Sequence, residues 1–103
     1  MSRGPDAATL LRRALERDAR AQGCAITIGA LHSTRWASAT FIGAQHRLTL
    51  DAPDDAALAH WLGALPEVEL TLRGHLVADA MVTAIARSDG RTEATIEVLT
   101  VEA

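Results

Sequence analysis

A chain of 103 residues that is 49% hydrophobic but only 3% aromatic has room for one core of Leu, Ile, Val and many Ala, and folding at this length removes about 60 to 70% of the unfolded surface from water. A net charge of −3 gives no electrostatic footprint for a polyanion and argues against nucleic acid as a partner. Lys, Tyr and Asn are absent, which excludes Schiff-base and phosphate-loop lysines, tyrosine acid-base chemistry and N-glycosylation.

All ten basic side chains are Arg, a usage that suits a GC-rich bacterial genome. Cys24 stands alone, so no intramolecular disulfide forms and a reducing compartment is the simplest reading. No apolar run approaches membrane-spanning length and the N-terminus shows no signal-peptide pattern. The expectation is a soluble cytoplasmic protein with no membrane contact, one domain over residues 1–103, and a disordered tail over 1–5.

Asp6 after Pro5 reads as a helix N-cap, and Ala8, Leu11, Leu15 and Ala19 recur at helical spacing until Gly23 stops the run. Arg12, Arg13, Glu16, Arg17 and Arg20 form its solvated side. From Cys24 the period changes to two, with Ile26, Ile28 and Ala30 alternating with Thr27, Gly29 and Leu31. Turns at 32–34 and 43–45 then divide the first half into three strands, with Trp36, Ser38, Thr40, Ile42, His46, Leu48 and Leu50 sharing a face.

Asp51-Ala-Pro53-Asp-Asp55 starts a second helix near 53–64, whose buried stripe is Leu58, Trp61, Leu62 and Leu65 before Pro66. Three further strands are predicted at 68–72, 75–87 and 91–101. Asp89-Gly90 is the strongest local signal, a two-residue hairpin turn that needs positive φ.

The predicted architecture is α+β: two helices on one face of a mainly antiparallel six-stranded sheet, in the pseudo-duplicated order αβββ-αβββ. Val68, Leu70, Leu72, Val77, Met81, Ile85, Ala94, Ile96 and Val98 fall on its core face. The opposite face of the last hairpin also reads as apolar, with Leu76, Ala78, Ala80, Val82 and Ala84 beside Leu99 and Val101. A strand apolar on both faces is normally covered on both. These seven residues and Trp36 are therefore the candidate interface of a homodimer, or of a contact with another protein.

Chemistry-bearing motifs are scarce. The four histidines have no HxH, HxxxH or HExxH spacing and Cys24 has no CxxC companion, so no metal site and no cofactor are expected. The serines lack the Gly-x-Ser-x-Gly elbow and the glycines are dispersed. The candidate polar site is His75, Asp79, Arg35 and His46. His75 and Asp79 are placed on the core face roughly 13 Å apart along one strand, with Asp79 opposite Thr100 and Arg35 as its charged partner. A carboxylate there requires pairing or a rim position.

Two functional readings follow. The first is a non-catalytic, self-associating interaction domain. The alternative is a small-molecule-binding or enzymatic domain, favoured if those polar groups line a concave pocket at the sheet or dimer interface.

Overall fold

The computed structural model describes residues 6–103, so the tail predicted over 1–5 lies outside the described residues. Helix α1 spans Ala7–Ala21, with the Asp6 side chain accepting from the Thr9 amide at 2.9 Å as its N-cap. Strands β1 (Thr27–Ala37) and β2 (Ile42–Pro53) follow, then helix α2 (Ala56–Ala64) and a 3-10 turn at Leu65–Glu67. Strands β3 (His75–Ser88) and β4 (Arg91–Glu102) complete the chain.

Among the described residues the sheet has four strands in the order β1-β2-β4-β3, all antiparallel. The α+β class is as expected, but the six-stranded sheet and the αβββ-αβββ order are not. The repeated unit is one helix and two strands, and the strand order reads the same when the halves are exchanged.

In the first half, the predicted turn at 32–34 lies inside β1. A bulge between Ile28 and Leu31 resets the alternation, and pairing then runs unbroken from Leu31↔Leu48 to Ala37↔Ile42. The one extra residue breaks the even ladder there. Arg12, expected only to decorate a solvated side, donates to the Ile28 and Gly29 carbonyls at 3.1 Å each. The chain turns at Ser38 instead, whose hydroxyl oxygen accepts from the Phe41 amide at 2.9 Å in a serine-anchored turn.

The predicted strand at 68–72 pairs through one isolated bridge only, Leu72↔His75. Gly74, at φ +80°, closes that turn. Val68, Leu70 and Leu72 pack against the core from this irregular segment, so their alternation reflects burial without a ladder. An added strand would have to pair with β3, whose bulges at Val77/Asp79 and Val82/Ala84 interrupt the even spacing a ladder requires.

Asp89 and Gly90 adopt φ +53° and +73°, the positive values of the hairpin turn that the sequence predicts. Pro53 ends β2 opposite Arg91 and does not open α2. Asp55 is the α2 cap, accepting from the Leu58 amide at 2.8 Å.

Both helices bury their apolar stripes on one sheet face. Leu11, Leu15 and Ala19 of α1 and Leu58, Trp61 and Leu62 of α2 share one cluster with Ile28, Leu48, Leu50, Ala94, Ile96 and Val98. Trp61 Nε1 donates to Asp18 Oδ2 at 2.8 Å and ties the helices together. Among the described residues no helix is long and apolar enough to cross a membrane.

The two β3 bulges invert the side-chain alternation between them, which redistributes the predicted interface. Ala80 is buried in the core and Val82 packs against it, opposite Val98 and Ile96 of the helix-covered face. Ala78 is the extra residue of the first bulge. Leu76, Val101, Gly43 and Trp36 form one cross-strand row on the helix-free face, with Leu99 and Met81 in the next two rows. Met81, predicted for the core, is 46% exposed there.

Candidate functional site

The helix-covered face is apolar through its centre and polar at both ends, with Thr92 at one and His46 and Thr100 at the other. Along β2 the buried positions run Ala44, His46, Leu48, Leu50 and Ala52, and along β4 they run Thr92, Ala94, Ile96, Val98 and Thr100. His46 and Thr100 therefore occupy core positions that the alternation reserves for hydrocarbon, and a buried polar group requires partners. His46 is 1% exposed. Its Nδ1 lies 2.7 Å from Ser33 Oγ on β1, and its Nε2 lies 2.9 Å from Thr100 Oγ1 on β4.

Above this group the start of α1 and the ends of the strands border an open cavity of about 470 Å³. Asp6, Ala7 and Ala8 form the helix side. Ser33 and Arg35 come from β1, Gly43, Ala44 and His46 from β2, His75 from β3, and Thr100 and Glu102 from β4. Three of the four residues singled out in the sequence, Arg35, His46 and His75, thus line one cavity.

Asp79 does not join them. The bulge after Val77 turns it to the helix-free face opposite Leu99, exposed to solvent. Its carboxylate needs no buried partner there, and Arg35 pairs instead with Glu102 at 3.9 Å. That ion pair is exposed, with side chains 79% and 50% accessible, so it contributes little to stability.

The electrostatics of the site are asymmetric. Burial holds the His46 imidazole below its ordinary value of 6.5, nearby His75 lowers it further, and Asp6 partly opposes both. The Thr9 amide and hydroxyl hold the Asp6 carboxyl below the usual carboxylate value. His46 is therefore neutral at pH 7, one nitrogen donating and the other accepting.

A stability effect follows from His46. Its folded value lies below its unfolded value, so the unfolded chain takes the proton first as pH falls. The contribution to stability is complete above about pH 6.5, declines as pH falls from there toward the lowered folded value, and levels off below it. Urea midpoints compared between pH 7.5 and 5.5 should fall more steeply for the wild type than for His46→Gln. Equal slopes would mean that His46 titrates normally.

Two other concavities carry less chemistry. One beside Cys24 is lined by Glu16, Arg20 and Ile26, and burial pushes the Cys24 thiol up, away from its reactive form. The other lies between α2 and Val82–Ile85 of β3. His32 and His60 are exposed, and no group of three or more metal-ligating side chains forms among the described residues.

Sequence reasoning missed Ser33 and Thr100. The sequence places Ser33 in a turn that does not form and Thr100 opposite Asp79. The available signal was the polar residue at an apolar position in each central strand, His46 in β2 and Thr100 in β4. No protein-family model, curated protein or solved structure matches this chain.

Proposed function

We propose that this protein binds a small, neutral, polar organic molecule in the cavity beneath the start of α1. The observation that carries this reading is the convergence of Arg35, His46 and His75, with Ser33 and Thr100, from four strands onto one cavity of about 470 Å³, at the lower end of the size range of ligand pockets. The charges set the ligand class. One guanidinium, Arg35, stands against two carboxylates, Asp6 and Glu102, so the lining has no positive excess to favour an anion. It offers a donor at Arg35, acceptors at Asp6, Glu102 and the Ser33 oxygen, and methyl surface at Ala7, Ala8 and Ala44.

A thermal-shift screen of neutral fragment-sized amides and esters tests this. A ligand at 100 times its dissociation constant stabilises by about 2.7 kcal/mol. For a domain of this size that raises the melting temperature by roughly 10 °C or more. Arg35→Ala and His75→Ala should abolish the shift, while Asp79→Asn, on the other sheet face, should retain it. Shifts that survive both pocket variants would refute the reading.

A second reading, self-association through the helix-free sheet face, is favoured by Leu76 at 61% and Met81 at 46% exposure on that face. They lie near Leu99, Val101 and Trp36. The β1/β2 half of the face carries Arg47 and Asp51, and the β3/β4 half carries Asp79, Glu93, Glu97 and Arg91, the last paired with Asp51. A two-fold axis parallel to the strands would lay one half on the other of a second copy. Sedimentation or light scattering giving twice the chain mass, reduced to one by Leu76→Asp, supports it. A monomer at all concentrations removes it.

A further inference from the structure

One assignment of protons satisfies His46, Thr100 and the Ala44 contact together. Thr100 has one hydroxyl proton, and its oxygen lies 3.4 Å from the Ala44 carbonyl, which can only accept. With that proton directed to Ala44, the Thr100 oxygen accepts from His46 Nε2–H at 2.9 Å. His46 Nδ1 then carries the lone pair, and Ser33 Oγ–H donates to it at 2.7 Å. A hydroxyl bonded to a neutral imidazole whose tautomer is fixed by a third group is the arrangement of an activated nucleophile.

The surroundings fit that chemistry. Ser33 is exposed and lines the cavity, whereas His46 is buried beneath it. Ala7 and Ala8 line the same cavity from the first turn of α1, where the first amides of a helix have no intrahelical acceptor and can stabilise a developing oxyanion.

The geometry points to Ser33 as a nucleophile toward small neutral esters, with His46 as its general base and Thr100 as the positioning residue that holds the tautomer. This inference rests on the cavity being a ligand site. Ser33 Oγ bonds to the acyl carbon while its proton passes to His46 Nδ1. The carbon–oxygen bond to the alcohol breaks, and the departing alkoxide takes that proton. Water, deprotonated by His46, then attacks the acyl-serine, releases the acid and returns the proton to Ser33. No oxidant or further reactant is required.

His46 lacks the carboxylate that usually steadies a catalytic imidazolium. A threonine hydroxyl does this less well, so activated esters should react and ordinary esters should react slowly. The charged groups that act on His46 are His75 on β3 and Asp6 at the start of α1, and Arg35 on β1 and Glu102 on β4 line the same cavity. Reactivity should rise with pH as His46 loses its proton and then reach a plateau.

The test treats the full chain with diisopropyl fluorophosphate and follows intact mass and peptide mapping. In this reaction the Ser33 oxygen–phosphorus bond forms, fluoride leaves, and the serine proton passes through His46 to solvent. The expected result is a single adduct on Ser33, absent in Ser33→Ala. Its formation should be roughly 100-fold slower in His46→Gln, in line with the loss of a general base. Thr100→Val should retain the adduct but displace the pH profile, a readout that a merely structural threonine would not move. Circular dichroism establishes that each variant is folded.

No adduct, an adduct on another residue, or an unchanged rate in folded His46→Gln would overturn the assignment. Reversible binding of neutral fragments, lost in Arg35→Ala, without an adduct would overturn the nucleophile alone. Absence of both would overturn the pocket reading with it.

Discussion

Gly43→Ala should destabilise the protein by about 3 kcal/mol, at the upper end of the usual cost of overpacking. Gly43 sits on β2 directly across from Trp36 of β1. A Cβ built there would lie 2.6 Å from Trp36 Cζ2 and closer still to the Thr100 carbonyl oxygen. Rotation can displace the ring, but the oxygen belongs to the backbone of the central strand β4, so relief requires the β2–β4 ladder to open. Glycine here lets an indole lie flat on the sheet where any side chain would hold it away. Urea denaturation measures the loss, and Trp36→Ala in the Gly43→Ala background should recover only part of it. A loss below about 1 kcal/mol, the low end of overpacking costs, would show that the ring does not rest on this glycine.

Leu48→Ala should cost a comparable amount, about 3 to 4 kcal/mol, from lost burial and the cavity left behind. Leu48 is 1% exposed, paired with Leu31 on one side and Ile96 on the other, beneath both helices. Leu76→Ala is the informative contrast. Leu76 is 61% exposed on the helix-free face, and a surface substitution of this kind changes stability by no more than about 0.5 kcal/mol in a monomer. If Leu76→Ala approached the cost of Leu48→Ala, and the loss depended on protein concentration, the helix-free face would be covered by a second copy. Denaturation midpoints at two protein concentrations supply both comparisons.

Much of the fold was legible in the sequence because its signals were local. Asp6 and Asp55 cap helices whose stripes follow the 3.6-residue period, and Asp89-Gly90 sets the last hairpin by demanding positive φ. The strand count was not legible. His32-Ser33-Thr34 lacks a turn-forming glycine, and the bulge at Gly29-Ala30 puts Ser33 and Arg35 on the face of His46 and Ala44 and turns Trp36, predicted to share that face, to the other. Val68, Leu70 and Leu72 alternate as a strand would, but alternation reports burial of every second side chain and not hydrogen bonding.

The candidate site was half legible for the same reason. His46 was visible as a polar residue on an apolar face, and Arg35 and His75 converge on it because β1 and β3 flank the central pair at the same end of the sheet. Asp79 was misplaced because one inserted residue, Ala78, inverts the face of everything up to the next bulge. Bulges leave no reliable mark on a single sequence, whereas a buried histidine between Ala44 and Leu48 does. Ser33 reaches the site because β1 runs on through residues 32–34 with no turn.

The most direct test of the cavity as the functional site is a nitrogen-15 spectrum of the four imidazoles, recorded while the neutral fragments that raise the melting temperature are titrated in. The histidines divide cleanly: His46 and His75 line the cavity, while His32 and His60 are exposed elsewhere. Binding in the cavity predicts saturable shifts at His46 and His75, with His46 reporting a neutral ring protonated at Nε2, and no change at His32 or His60. Saturable binding that leaves the His46 and His75 resonances unmoved would contradict it.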